Sequence, residues 1–267
     1  MTGLLQRALA GHSGGASRAM TLATHPHANH LLAALEAADW QRWKPHLEPV
    51  NLKRGAVLYA AGQPQFHAFF PTSAIVSLLQ MTEAGGSTGF AIAGHEAVVG
   101  ISLLLGSDIT TSSGAVLIAG QGYRMPALAL LEEFNRFESV RQLMLRYIQA
   151  LVTQIAQTAV CSRHHTVDQQ VCAWLLYCLD RLASHEVQLT HDMLAHLLGV
   201  RRESVTLIVG HLRAAGLVRC RRGSMVVLDR AGLEHRSCEC HALVSKEYAR
   251  LLPSPCASAP AGQHGAM

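Results

Sequence analysis

Hydrophobic residues change their rhythm three times along the chain. Between positions 50 and 124 they come in short runs, at 56–59, 74–79, 89–93, 98–105 and 115–118. Gly62, Pro64, Gly85, Gly86, Gly94, Gly106 and Gly120 fall between those runs. Runs of four to eight residues about ten positions apart, punctuated by glycine, predict an antiparallel β-barrel or sandwich. Ahead of it, Leu31, Leu32, Leu35, Ala38 and Trp40 suggest a short helix over 30–43.

The rhythm becomes helical after Pro126. Val140, Met144, Tyr147, Leu151, Ile155 and Thr158 recur at three- and four-residue spacing, a nearly heptad seam about five turns long. Such a seam either packs on the chain's own β-unit or pairs with a second copy. We expect the pairing, which makes Val140, Met144, Tyr147, Leu151 and Ile155 a homodimer contact. A second helix is expected over 167–182, with Val171, Leu175, Cys178, Leu179 and Leu182 on one face.

The third rhythm begins at Thr190, an N-cap residue followed by Asp192 in the first turn, where an acid suits the helix dipole. Leu194, Leu197 and Leu198 give this helix an apolar face, and Gly199 ends it. A second helix turns Val205, Ile208, Val209 and Leu212 inward and stops at Ala215-Gly216. Two short helices joined by a glycine turn make a helix-turn-helix. The alternating stretches at 217–218 and 225–228, with Arg221-Arg222-Gly223 between them, predict a β-hairpin wing.

Charge sharpens this picture. The 267-residue chain has a formal net charge of only +4. Between Gly199 and Gly223, however, six arginines stand against one acid, Glu203, so this stretch alone exceeds the whole chain's net charge. Arginine grips phosphate or guanine in a bidentate way that lysine cannot. Arg202 and Glu203 open the second helix, the end that enters a major groove. With Thr206 and Leu207 they are the expected base readers. Thr190, Arg201, Ser204, Arg213, Arg219, Arg221 and Arg222 are the expected phosphate contacts, setting register without reading sequence.

The segment LTHDMLAHLLGVRRESVT, with the later LRAAGLV and RGSMVVLDRAGLE, resembles the winged helix-turn-helix of the Crp/Fnr superfamily of bacterial transcription regulators. The run LKRGAVLYAAGQPQFHAFFPTSAIVSLL resembles that family's cyclic-nucleotide-type β-roll, with Gly55 and Gly62 at turns. The resemblance spans about Leu31 to Pro253. It implies an α+β fold: a cyclic-nucleotide-binding-like β-roll, a long dimerisation helix and a C-terminal winged helix-turn-helix. The expected organisation is a disordered extension over 1–28, a sensor roll over 29–134 and the dimerisation and connecting helices over 135–182. A DNA-binding domain over 183–252 and a disordered tail over 253–267 complete it. The implied protein is a homodimeric regulator of an inverted-repeat operator, with double-stranded DNA and RNA polymerase as partners. By the same resemblance Arg202 and Glu203 match the base-reading pair, while Leu207 stands where a third reader is often arginine.

The signal is left open. Cyclic-AMP-binding members carry a Gly-Glu pair and an arginine for the phosphate. Here the expected pocket comprises Gly94, Glu96, Ser112, Ser113 and Gly114, and glycine stands in the arginine's place. A buried phosphate without that partner costs several kcal/mol, so the cofactor is unknown and a cyclic nucleotide is disfavoured. An N-terminal iron–sulfur cluster would need cysteines that the first 160 residues lack. Cys161, Cys172, Cys178, Cys220, Cys238 and Cys240 form a loose thiol group, of which Cys172, Cys238 and Cys240 are the basis of an alternative redox- or metal-sensing reading; Cys172 and Cys178 also fit a packed helix face. A third reading, a β-barrel enzyme with a basic tail, finds no nucleophile elbow, Walker loop, dinucleotide fingerprint or zincin motif, so we expect no catalysis. No stretch approaches the roughly 20 apolar residues of a membrane helix, and the cysteine spacing suggests reduced thiols, which together predict a cytoplasmic protein.

Overall fold

The computed structural model describes residues 25–83 and 86–252. The expectations for positions 1–24 and 253–267 lie outside the described residues. Within the predicted extension, residues 25–28 are described, and Pro26–Ala28 form a 3-10 turn. Asn29 then caps α1 (His30–Ala33) by accepting from the Leu31 and Leu32 amides. Its side-chain amide donates to the carbonyls of Pro71 and Ala97, so this buried residue staples the N-terminus to the β-unit. The single helix expected over 30–43 is thus two, α1 and α2 (Ala37–Trp43).

Among the described residues, seven strands build the roll: β1 (Glu48–Leu52), β2 (Val57–Tyr59), β3 (His67–Pro71), β4 (Ile75–Met81), β5 (Ser87–Ala93), β6 (Ser113–Ile118) and β7 (Gly120–Pro126). All pairings are antiparallel, in a β1-β7-β3 sheet and a β2-β6-β4-β5 sheet. Where the two sheets meet, a Cβ on Gly120 would collide with the Ala74 backbone nitrogen, so only glycine allows the backbones this close. The apolar run at 98–105 is no strand. Gly100 and Gly106 both take positive φ, and the run folds into turns that bury Leu103 and Leu104, with one bridge from Val99 to Phe69.

Helix α3 (Ala127–Arg136) leads into α4 (Glu138–His164), which is 27 residues long. Val140, Met144, Tyr147 and Leu151 are fully covered by this chain's own residues, among them Val76, Leu78, Ala91 and Phe134, and Ile155 packs at the edge of the same cluster. The expected dimer seam is therefore the face that α4 lays on the roll. Apolar spacing marks a buried stripe but not the surface that buries it.

Thr166 and Gln169 form a capping box that starts α5 (Val167–Leu179), whose residues from Gln170 onward are all buried. The C-terminal unit follows with β8 (Glu186–Val187), α6 (His191–Leu198), α7 (Arg202–Ala214), β9 (Val218–Arg221) and β10 (Ser224–Val227), then α8 (Arg230–Arg236) and α9 (Glu239–Leu251). The wing has three strands in the order β8-β10-β9, one more than the hairpin expected. Its core is continuous with the roll. Ile75, Leu79, Ile92 and Leu117 share one apolar cluster with α5, α6 and α7, and Leu197 and Trp174 close over Gly89 of β5.

Candidate nucleic-acid interface and sensor pocket

Two local devices set the ends of α6. The Thr190 hydroxyl accepts from the Met193 amide at the start of α6, and Gly199 ends that helix at φ +65°, a conformation costly for any side chain with a Cβ. Helix α7 then buries Val205, Val209 and Leu212 and leaves its other side to solvent. That side carries Arg202, Glu203, Ser204, Thr206, Leu207 and Arg213, with Arg201 just before it, all exposed. Leu207 is 62% exposed in the middle of this polar face. Thr206 is held by His191 of α6, Oγ1 to Nδ1 at 3.1 Å. Burial first, and Arg202 second, depress the His191 pKa, which favours the neutral ring.

On the wing, Arg219, Arg221 and Arg222 are exposed. Arg221 lies 3.7 Å from Glu186, the only ion pair involving the six arginines of this stretch among the described residues. The structure therefore puts the expected base readers on one open helix face. Thr190 differs from the rest of the phosphate set in being half-buried; its hydroxyl oxygen accepts the capping bond, and its proton stays available to donate.

The expected effector residues separate into two places. Glu96 is buried against Arg181, with Nε to Oε1 at 2.7 Å, an ion pair between the roll and the end of α5. The Arg181 methylenes cover Gly94, where a Cβ would meet them at 2.8 Å. Glu96 thus faces a guanidinium rather than a ribose hydroxyl. Ser113 and Gly114 are buried in β6. Ser113 Oγ accepts from the Ala61 amide, and the Tyr59 ring fills the space over Gly114 where a Cβ would stand. Ser112 lines a separate cavity of about 200 Å³ between the roll and α4, with Tyr59, Phe90, Ile101, Leu151 and Ile155 around it. Among the described residues, no cationic side chain lines this cavity. Arg181 gave no signal at the sequence level, because nothing local pairs it with Glu96, 85 positions earlier.

A larger cleft of about 580 Å³ adjoins Arg181 and is lined by His30, His95, Asp180 and Tyr248. Burial alone would raise the Asp180 pKa, but hydrogen bonds from His241 at 2.7 Å and Arg230 at 2.6 Å outweigh it and hold the carboxyl at about 2. A depressed carboxylate stabilises the fold fully above its unfolded pKa and loses that contribution as pH falls towards the folded value. We expect about 1 kcal/mol of stability, the full shift discounted for solvent screening of this part-exposed carboxyl, to disappear between pH 4 and pH 2. Asp180→Asn should flatten this limb in acid denaturation followed by circular dichroism; an unchanged limb would assign the loss elsewhere.

The thiol group is also rearranged. Cys172 packs inside α5, where burial raises its pKa to about 12, as expected of an inert thiol. Cys238 and Cys240 instead meet Cys161 and His165 from the end of α4. Cys161 and His165 are four residues apart, a spacing that shares one helix face, but only the tertiary fold brings Cys238 and Cys240 to it.

Residues 169–236 match the family model of the Crp-like helix-turn-helix domain. Among solved structures, the chain is similar to FixK2 from Bradyrhizobium japonicum, with 14% identity, 72% of this chain and 98% of that one covered, and a TM-score of 0.63. It is also similar to a candidate Crp/Fnr-family transcriptional regulator from Eubacterium rectale, at 16% identity, with 78% and 98% covered and a TM-score of 0.62. A CRP-family transcriptional regulator from Thermus thermophilus gives 17% identity, coverage of 71% and 96%, and a TM-score of 0.57. At such identities the likeness is one of fold. No curated protein matches the sequence.

Proposed function

This chain has the fold of Crp/Fnr transcription regulators and carries a Crp-like helix-turn-helix domain, and from that premise we propose that it reads an inverted-repeat operator as a homodimer. The observation that carries the reading is the open face of α7 and the wing. Arg202 and Glu203 stand on the first turn of an exposed helix, flanked by arginines of which only Arg221 has an acidic partner among the described residues. Arg202 can donate two bonds to guanine O6 and N7, Glu203 can accept from cytosine N4, and Leu207 suits a thymine methyl. Arg201, Arg213, Arg219, Arg221 and Arg222 would hold phosphates. Such a surface acts where the chromosome is, in the cytoplasm, with RNA polymerase as the partner of its output.

For the homodimer, the seam on the roll is already covered, and a second register of α4 supports the reading. Leu145, Gln149, Val152, Ala156 and Ala159 follow at spacings of four, three, four and three on its outward face. Leu145 and Val152 are 41% and 50% exposed there. Small and apolar residues at a and d positions suit close helix pairing. A two-fold axis along α4 would place half-sites about 34 Å apart. The cavity that includes Ser112, bounded by Leu151 and Ile155 of the same helix, is the candidate effector site. Its apolar walls and hydroxyls fit a small uncharged molecule better than a cyclic phosphate.

The test is selection from random duplex DNA at two salt concentrations, with Arg202→Ala beside the native protein. We expect an enriched inverted repeat whose binding falls steeply with salt. Arg202→Ala should weaken binding by about 1–3 kcal/mol and relax the preference at one base pair per half-site. Equal loss across all sequences would demote Arg202 to a phosphate contact. Salt-sensitive binding with no enriched sequence would overturn the operator reading.

A further inference from the structure

We propose that Cys161, His165, Cys238 and Cys240 form a closed tetrahedral site for a zinc-class divalent cation, pinning the end of α4 to the turn between α8 and α9. One ligand atom from each residue lies within 4.8 Å of all the others. Cys161 Sγ is 3.5 Å from Cys238 Sγ, and Cys240 Sγ is 3.5 Å from His165 Nδ1. Zinc–sulfur bonds of about 2.3 Å at tetrahedral angles put sulfurs about 3.8 Å apart. The side chains therefore stand close to the required spacing before any ion is considered. Three thiolates and one imidazole are a common structural zinc set, soft enough to exclude calcium and magnesium.

The surroundings are arranged as a metal site needs. His165 Nε2 lies 3.4 Å from the Glu239 carboxylate, which leaves Nδ1 turned to the sulfurs, the carboxylate–histidine arrangement that orients a metal-binding ring. Gln170 donates to the carbonyls of both Cys161 and His165, fixing the last turn of α4. Arg236 closes on Asp168, Nε to Oδ2 at 2.7 Å, and holds α8 against α5 beside the cluster. Cys240 sits in the first turn of α9, directly after the turn that carries Cys238. Packing alone accounts for a buried cysteine, but not for an imidazole nitrogen and three sulfurs converging from two distant stretches of chain. Binding would deprotonate any neutral thiols among the three and change no oxidation state. The site would tie the helix that borders the sensor cavity directly to the helices that follow the wing. The inference does not rest on the DNA reading.

The experiment uses the full-length protein. Zinc is first measured in the protein as purified; the protein is then stripped with a chelator under a phosphine reductant and titrated with Co²⁺. We expect about one zinc per chain before stripping. Cobalt should give thiolate-to-metal charge transfer and the intense visible bands of tetrahedral coordination, both bleached by one equivalent of Zn²⁺. Cys238→Ser and His165→Ala should each weaken cobalt binding by at least about tenfold. His165→Cys should retain tetrahedral binding, and Cys220→Ser, on the wing, should behave as the native chain. His165→Ala, at a half-buried position, keeps the test valid if Cys238→Ser fails to fold. The absence of thiolate charge transfer in the fully reduced native protein would overturn the site. A cobalt spectrum unchanged in Cys238→Ser and His165→Ala would do the same. So would a Cys161–Cys238 disulfide whose reduction yields no metal-binding protein.

Discussion

Glu96→Ala is expected to destabilise the protein by about 3–5 kcal/mol, because it strands a buried charge. Glu96 and Arg181 are both buried, 2.7 Å apart, and the guanidinium has no other carboxylate within 4 Å among the described residues. Its remaining contacts are neutral: Nη1 donates to the Tyr177 carbonyl at 2.9 Å, and the guanidinium carbon stands 5.7 Å from the centre of the Tyr248 ring. Removing Glu96 leaves Arg181 desolvated without a counter-charge, whereas replacing both residues removes the cause of the cost. Glu96→Leu with Arg181→Met should therefore recover most of the stability that either single change loses. Denaturant unfolding of Glu96→Leu, Arg181→Met and the double variant, beside Glu96→Ala, measures this directly. Losses below about 1 kcal/mol for the single variant, the range of solvent-screened surface pairs, would show that water reaches the pair. The pair also joins the roll to the end of α5, so Glu96→Ala should loosen the C-terminal unit from the roll, read as faster amide exchange in α6.

The second large effect concerns the outward face of α4. Leu145→Glu with Val152→Glu is expected to leave the monomer folded, since both side chains are exposed. The same pair should abolish self-association and lower affinity for an inverted repeat by about 10²–10⁴, the gain that linking two reading heads supplies. Analytical ultracentrifugation reads the first outcome and operator titration the second. Met144→Ala separates the two faces of the helix. It lies in the core and should cost about 2–5 kcal/mol of stability, with no specific effect on association. A variant pair that remains dimeric would place the two-fold axis elsewhere than on α4.

These predictions sit where sequence reasoning and structure part. The helix-turn-helix was legible because its determinants are local. Thr190 caps the helix it precedes, Gly199 supplies a left-handed turn, and three- and four-residue spacing separates the core side of α7 from its arginines. The long helix was legible as an element, but its exposed face was not. A seam of Val, Met, Tyr, Leu and Ile draws the eye to the side that proves to be covered, while Gln149, Ala156 and Ala159 carry little hydrophobic signal on the side left open. The run at 98–105 misled for a related reason. Its residues are apolar because they are buried, and two glycines at positive φ let a loop be buried as readily as a strand.

By itself, then, the sequence determined the order of β-unit, long helix and winged reader, along with the basic surface that reader presents. Each of these follows from periodicity, capping and charge within about thirty residues. Tertiary structure alone decided which face of α4 meets the roll, that Glu96 is answered by Arg181, and that Cys161 and His165 rather than Cys172 stand beside Cys238 and Cys240. Those pairings join residues 73 to 85 positions apart, or a helix to a whole sheet. They are set by which surfaces exclude water together, and no local spacing rule encodes that choice.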